Sequence, residues 1–179
     1  MINSKPNNNK YHQGNYIPIN KEKVIKLNSE GGIYYRSSLE KKKMMVWFDN
    51  NDKIIRWCAE CNKIPYQLTH YEKSGDINLK SHTYYPDFYY ELEKNDRTTS
   101  KVICEVKPHK EYEDVILFEK KLFNVPQNAT TKKLKNLEYR LKMAQKNSQK
   151  WKTMIRYCEK KGLKFIVITE QHLKSKKFN

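Results

Sequence analysis

Residues 82–108 read HTYYPDFYYELEKNDRTTSKVICEVKP, and the pattern of this stretch predicts the centre of the fold. Its two ends are rich in aromatic and β-branched residues, which favour strands. The polar residues 93–100 between them suit a hairpin loop, and Pro108 ends the second strand because it has no backbone N–H to donate. A pair of strands is therefore expected, one covering residues 82–92 and the other residues 101–107.

Three charged side chains within this stretch predict a chemical function. Glu105 and Lys107 are two apart on a strand and so face the same side, while Val106 points into the core. If the strands pair, Asp87 comes alongside, and two carboxylates meet one ammonium at the end of a sheet. A turn aspartate or a solvated Glu-x-Lys is common on its own, so the prediction depends on their combination.

This set of groups suits the hydrolysis of phosphodiesters. The carboxylates of Asp87 and Glu105, with the backbone carbonyl of Val106, offer the oxygen ligands that Mg²⁺ prefers, and Mn²⁺ is its expected substitute. A metal held there polarises the phosphate and lowers the pKa of a bound water. Lys107 either orients that water or stabilises the charge that grows on the phosphorane oxygens.

The chain is strongly basic. Its 179 residues include 36 Lys and Arg against 20 Asp and Glu, which gives a net charge of +16. A basic surface favours polyanions through counterion release, so DNA is the expected partner, although the codon usage of an AT-rich genome also raises lysine content. No continuous apolar run approaches the roughly 18 residues of a membrane span, and no secretory signal is recognisable. We therefore expect no membrane partner.

Outside this stretch the hydrophobic period changes several times. The predicted segments are a helix from a capping box at Ser37 through residue 48, strands near residues 54–58 and 64–66, an irregular segment 109–130, an amphipathic helix 132–161 capped by Gly162, a strand 164–169 and a short helix 170–174. This order predicts an α/β fold with a mixed central sheet flanked by helices. Residues 1–30 are assigned to an N-terminal arm, with a short strand or docked segment near residues 16–19. Residues 31–179 are assigned to one domain.

The four cysteines are expected to be reduced thiols. Cys58 and Cys61 have a spacing typical of zinc ligands, but no second pair follows at the usual distance. Cys104 and Cys158 lie within apolar runs, where a free thiol behaves as a small core residue.

Asp87 and residues 105–108 resemble the PD-(D/E)XK nuclease motif, including the aromatic residues before Pro86. Further segments follow the order of one family, the head completion nucleases of T-even-type tailed bacteriophages. They are YRSSLE at 35–40, Trp57, IPY at 64–66, KW at 150–151, YC at 157–158 and KFIVITE at 164–170. This resemblance extends over residues 34–173. The same layout is similar to the end-cleaving subunit of some heteromeric transposases.

The resemblance implies a restriction-endonuclease-like fold and a metal-dependent DNA endonuclease. It also implies that Glu40, on the first helix, completes the site of Asp87, Glu105 and Lys107. Two alternatives stay open, because Glu40 also suits the third position of the capping box and Glu60 is another acidic candidate. The candidate contacts to DNA phosphates are Arg36, Lys110, Lys146 and Lys150. The histidines that bracket the motif strands, His82 and His109, are interpreted as non-catalytic.

A biological role follows from the resemblance alone. It implies completion of a phage head after DNA packaging, with the portal or other head and neck proteins as partners, in the virion or the host cytoplasm. The first alternative is a non-enzymatic DNA-end-binding head completion protein, against which the intact set of Asp87, Glu105 and Lys107 argues. The second is a transposase-type DNA end-cleaving subunit, for which the chain is short.

Overall fold

A computed structural model of the chain describes residues 13–35, 39–71, 77–124, 126 and 128–174. The strands are β1 Gly14–Tyr16, β2 Ile33–Tyr35, β3 Ile54–Ala59, β4 Ile64–Tyr71, β5 Ile77–Tyr84, β6 Phe88–Glu93, β7 Thr99–Val106 and β8 Lys164–Ile168. The helices are α1 Leu39–Asn50, α2 His109–Glu119, α3 Thr131–Lys161 and α4 Glu170–Leu173, with a 3₁₀ turn at Lys21–Lys23. None of the described helices is long and apolar enough to cross a membrane.

Four strands form a mixed central sheet in the order β3-β6-β7-β8. The pairs β3–β6 and β6–β7 are antiparallel, whereas β8 pairs with β7 in parallel after the crossover that contains α2 and α3. The β6–β7 register pairs Phe88 with Cys104. The predicted α/β class is confirmed, and the arrangement is a restriction-endonuclease-like mixed sheet flanked by helices.

Different helices cover the two faces of this sheet. Alternate residues of β7, namely Val102, Cys104 and Val106, join one apolar cluster with Met44 and Phe48 of α1. Ile103 points to the opposite face and clusters with Met154 and Cys158 of α3. Because side chains alternate along a strand, Glu105 shares the α3 face with Ile103.

The aromatic stretch at residues 82–92 is two strands instead of the single strand predicted. The β5 strand ends at Tyr84 and belongs to a separate hairpin with β4, whereas β6 begins at Phe88. The chain bends between them at Pro86, where the ring removes the backbone donor that a continuous strand requires. Asp87 consequently lies just before β6 and not within a strand.

The segment predicted to be irregular, residues 109–130, begins with a helix. Its first part forms α2, whose Val115 packs with Ala144 and Trp151 of α3 in a third apolar cluster. Packing against α3 stabilises this short helix, which would be marginal in isolation. The other helices and strands of the C-terminal half are confirmed, and Gly162 caps α3 with a left-handed φ of 65°.

The described part of the predicted arm, residues 13–30, is docked on the domain. Its strand β1 pairs with β2. The fully buried carboxylate of Asp49 accepts three hydrogen bonds from this segment: from the Tyr16 hydroxyl at 2.7 Å, the Ile19 N–H at 2.7 Å and the Asn20 N–H at 2.9 Å. Asp49 lies in the last turn of α1, because this helix continues to Asn50 and does not end at the predicted residue 48. The division at residue 30 stays a prediction.

Two cysteines differ from the expectation of reduced thiols. Cys58 and Cys61 form a disulfide across a turn at Glu60, whose φ of 50° lies in the left-handed region. This turn brings the two sulfur atoms together although the residues are only three apart in sequence. Cys104 and Cys158 are free and buried, as predicted.

Candidate active site

Asp87 is fixed beside β7 through both its side chain and its backbone. Its Oδ2 atom accepts a hydrogen bond of 2.8 Å from the Val106 N–H, and its carbonyl oxygen accepts one of 3.0 Å from the Glu60 N–H. The residue is buried. Extending the pairing of Phe88 with Cys104 by one residue places Asp87 opposite Glu105, so the predicted approach of the two carboxylates is found.

Glu105 is also buried, and both of its carboxylate oxygens have partners. Oε1 lies 2.9 Å from Nζ of Lys107, which confirms that these two side chains project to the same side. Oε2 accepts a hydrogen bond of 2.7 Å from the hydroxyl of Tyr84, the last residue of β5. The base of the β4–β5 hairpin therefore contributes directly to the site.

Burial and charge oppose each other in this cluster. Burial raises the pKa of Glu105, and the nearby charge of Asp87 raises it further, while Lys107 and Tyr84 act against that shift. For Lys107, burial lowers the pKa, but the charge and hydrogen bond of Glu105 outweigh burial and the pKa is raised. The contact with Glu105 therefore favours the ammonium form of Lys107.

Lys150 of α3 lies on the same side of the sheet. Its ammonium is 5.0 Å from the centroid of the Tyr84 ring, within the range of a cation–π contact. Burial lowers the pKa of Lys150, the charges of Lys107 and Lys146 lower it further, and Glu105 opposes this. Lys150 therefore interacts with the charges of Glu105 and Asp87. Lys146 lies one helical turn before it on α3.

The structure does not bring every predicted residue to the cluster. Lys110 is exposed in the first turn of α2, and no contact joins it to the carboxylates within the described ranges. Glu40 lies in the first turn of α1, but its side chain is outside the described part of the chain. Arg36 is outside it as well, and so is Ser37, the predicted cap of the capping box.

Tyr84 is the residue of the candidate site that sequence reasoning missed. The aromatic run before Pro86 draws attention to this region, but it contains two adjacent tyrosines. Alternation in β5 distinguishes them in the structure, where Tyr84 pairs with buried Ile64 and Tyr85 is exposed.

The donor chemistry of the cluster fits a divalent cation. Asp87 and Glu105 supply two adjacent buried carboxylates, and Val106, which follows Glu105, donates its backbone N–H to Asp87. Hard cations prefer such oxygen ligands, and a positive charge would offset the burial and the repulsion from Asp87 that together raise the pKa of Glu105. No group of three His, Cys, Asp or Glu side chains is placed to hold a metal among the residues that the structure describes.

Comparison with known proteins agrees with this geometry. Residues 51–170 match the model of the TnsA-like endonuclease N-terminal family, and the chain belongs to that family. It is similar to the head completion nuclease of Enterobacteria phage T4, with 28% identity over 164 residues, which is 92% of this chain and 95% of that protein. No solved structure is significantly similar to the chain. The resemblance stated from the sequence motifs is thereby confirmed.

Proposed function

We propose that this protein is a metal-dependent DNA endonuclease. The observation that carries the proposal is the buried pair of Asp87, just before β6, and Glu105, on the neighbouring strand β7, with the Lys107 ammonium 2.9 Å from Glu105. Burying two like charges side by side is unfavourable for folding, so a functional reason is needed. Membership of an endonuclease family and the net charge of +16 support the same conclusion.

Asp87, Glu105 and the backbone carbonyl of Val106 are the proposed ligands of Mg²⁺, for which Mn²⁺ would substitute. When bound, such an ion polarises the phosphate and lowers the pKa of a water. The protein fixes its ligands beforehand: the Val106 N–H orients Asp87, and Tyr84 and Lys107 orient Glu105. Preorganised ligands require little rearrangement when substrate arrives.

Lys107 has the role of a cation in this proposal. Its ammonium, 2.9 Å from Glu105, stabilises the negative charge that grows on the phosphate oxygens and orients the attacking water by donating a hydrogen bond. Lys150 and Lys146 supply further positive charge from α3 for the phosphate backbone. Lys110 and Arg36 are proposed as further phosphate contacts.

Glu40 is proposed as the third acidic residue of the site. The C-terminal end of α1 is joined by a short turn to the start of β3, and the opposite end of β3, Ala59, pairs with Phe88 beside Asp87. Since α1 packs on this sheet, its N-terminal end is expected at the same end of the sheet as Asp87, on the face opposite Glu105. That placement supports Glu40 over Glu60, whose backbone instead holds the Asp87 carbonyl.

The biological role that we propose is completion of a phage head after DNA packaging. The similar protein of Enterobacteria phage T4 is a head completion nuclease, and the alignment covers nearly the whole of both chains. DNA at the portal is then the natural substrate, with portal or other head and neck proteins as partners. The protein would act in the virion or in the host cytoplasm.

Cleavage of supercoiled plasmid tests the enzymatic proposal. We expect wild type to nick or linearise the plasmid with Mg²⁺ or Mn²⁺ but not with EDTA, and Asp87→Asn to be inactive under every condition. Asp96→Asn is the matched control, because Asp96 is an exposed residue of the β6–β7 turn. If the wild type binds DNA but never cleaves it, the proposal of an enzyme is refuted and a DNA-end-binding protein becomes the leading hypothesis. If Asp87→Asn cleaves as fast as the wild type, Asp87 is not a residue of the active site.

A further inference from the structure

A groove lies between the β4–β5 hairpin and α3. The outer edge of β4 is fastened to α3 by a hydrogen bond of 3.2 Å from the Thr69 N–H to Oε1 of Gln149. The groove has a volume of about 510 Å³. Its polar lining includes Gln67, Thr69, Ser81, Gln149, Lys152 and Arg156.

The lining of this groove has the chemistry of a phosphate-binding surface. It contains amides, hydroxyls and two cations, and no carboxylate belongs to it. The ammonium of Lys152 is 2.6 Å from Glu119 Oε2, so its charge is partly neutralised. Arg156 forms no ion pair with any carboxylate in the described part of the chain. Arginine, amides and hydroxyls are the groups that contact DNA phosphates and sugars.

The groove shares its two elements, β5 and α3, with the candidate active site. The β5 strand lines the groove with Ser81 and ends at Tyr84, which binds Glu105. On α3, Thr153 lines the groove only three residues after Lys150, which lies over the Tyr84 ring. The same two elements therefore form the groove and one wall of the site.

We propose that this groove holds the DNA strand next to the scissile phosphate, with Arg156 contacting its backbone. The inference rests on the proposed function, because it requires DNA as the substrate. From Gln149 to Arg156, α3 rises roughly 10 Å at 1.5 Å per residue. That length matches about three nucleotides of one strand at 3.4 Å each.

Salt-dependent binding to a short DNA duplex in EDTA tests the proposal. Arg156→Ala removes a groove cation and Gln67→Glu adds a negative charge to the opposite wall. Lys94→Ala is the control, since it changes the net charge by the same amount. Lys94 is exposed in the β6–β7 turn, roughly 20 Å from Glu105 along β7. We expect Arg156→Ala to reduce the slope of log K against log salt by about one, as for the loss of one phosphate contact.

Gln67→Glu should weaken binding, and Lys94→Ala should leave binding and its slope unchanged. Equal effects of all three variants would mean that only net charge matters, and unaltered binding by both groove variants would mean that another ligand occupies the groove. Either result overturns the proposal. Because binding is measured without metal, weakened binding by Arg156→Ala together with an inactive wild type would refute the nuclease and keep the groove.

Discussion

Tyr84→Phe is the substitution that isolates one hydrogen bond of the site. It removes the hydroxyl that donates to Glu105 Oε2 at 2.7 Å, but it keeps the buried ring beneath the Lys150 ammonium. A hydrogen bond to a charged group contributes roughly 1.5–3 kcal/mol. If that bond holds Glu105 in its catalytic position, its full loss slows cleavage roughly 10- to 150-fold, at 1.36 kcal/mol per factor of ten. Tyr84 would then be a positioning residue.

The assay is single-turnover cleavage of plasmid over a series of Mg²⁺ concentrations. We expect a slower rate and a higher Mg²⁺ concentration for half-maximal rate, because the hydroxyl orients a proposed ligand. DNA binding in EDTA should not change. Tyr89→Phe is the matched control, since its hydroxyl donates to Glu91 and not to Glu105. Cleavage by Tyr84→Phe at the wild-type rate and Mg²⁺ requirement would refute the reasoning.

Three further predictions concern stability and binding. Asp49→Ala should lower the free energy of unfolding in urea by roughly 3 kcal/mol or more, since three donors of the docked segment lose their acceptor. Burial raises the pKa of Asp49 but its hydrogen bonds lower it more, so this stabilisation should be present at neutral pH and disappear on acid titration as pH falls through the folded-state pKa. Lys150→Gln should weaken duplex binding and reduce its salt slope by about 0.9, and an unchanged slope would exclude a phosphate contact. Asp87→Asn should raise the free energy of unfolding in EDTA by roughly 0.5–2 kcal/mol, because it removes a charge beside Glu105 and keeps an acceptor for Val106; a less stable variant would contradict this.

The centre of the site was predictable from local rules. The two-residue spacing of Glu105 and Lys107 places them on one face, and the polar residues between the strands indicate a hairpin that brings Asp87 alongside. The long helix was equally clear, because its apolar stripe runs for many turns and Gly162 ends it. In each case the spacing of residues that are close in sequence determines which face of the strand or helix they occupy.

The parts that could not be predicted depend on distant packing. Whether Lys150 is a solvated helix residue or part of the site depends on how α3 lies over β5, which no local pattern specifies. The partner of β5 is β4 and not the central sheet, so its aromatic run misled the strand prediction. A signal for α2 was present, because Tyr112, Val115 and Ile116 have helical spacing after Pro108.

The alternation of side chains along β7, which buries its apolar residues against α1, also sets the position of Glu105. Val102, Cys104 and Val106 face α1, and burying a valine side chain contributes roughly 1.5–3 kcal/mol. A slip of one residue between β6 and β7 would turn these side chains toward α3 and direct Glu105 into the α1 cluster. The resulting loss of apolar burial, with a carboxylate placed among apolar side chains, would cost several kcal/mol. The register that sets Asp87 against Glu105 is therefore maintained by apolar side chains that take no part in the proposed reaction.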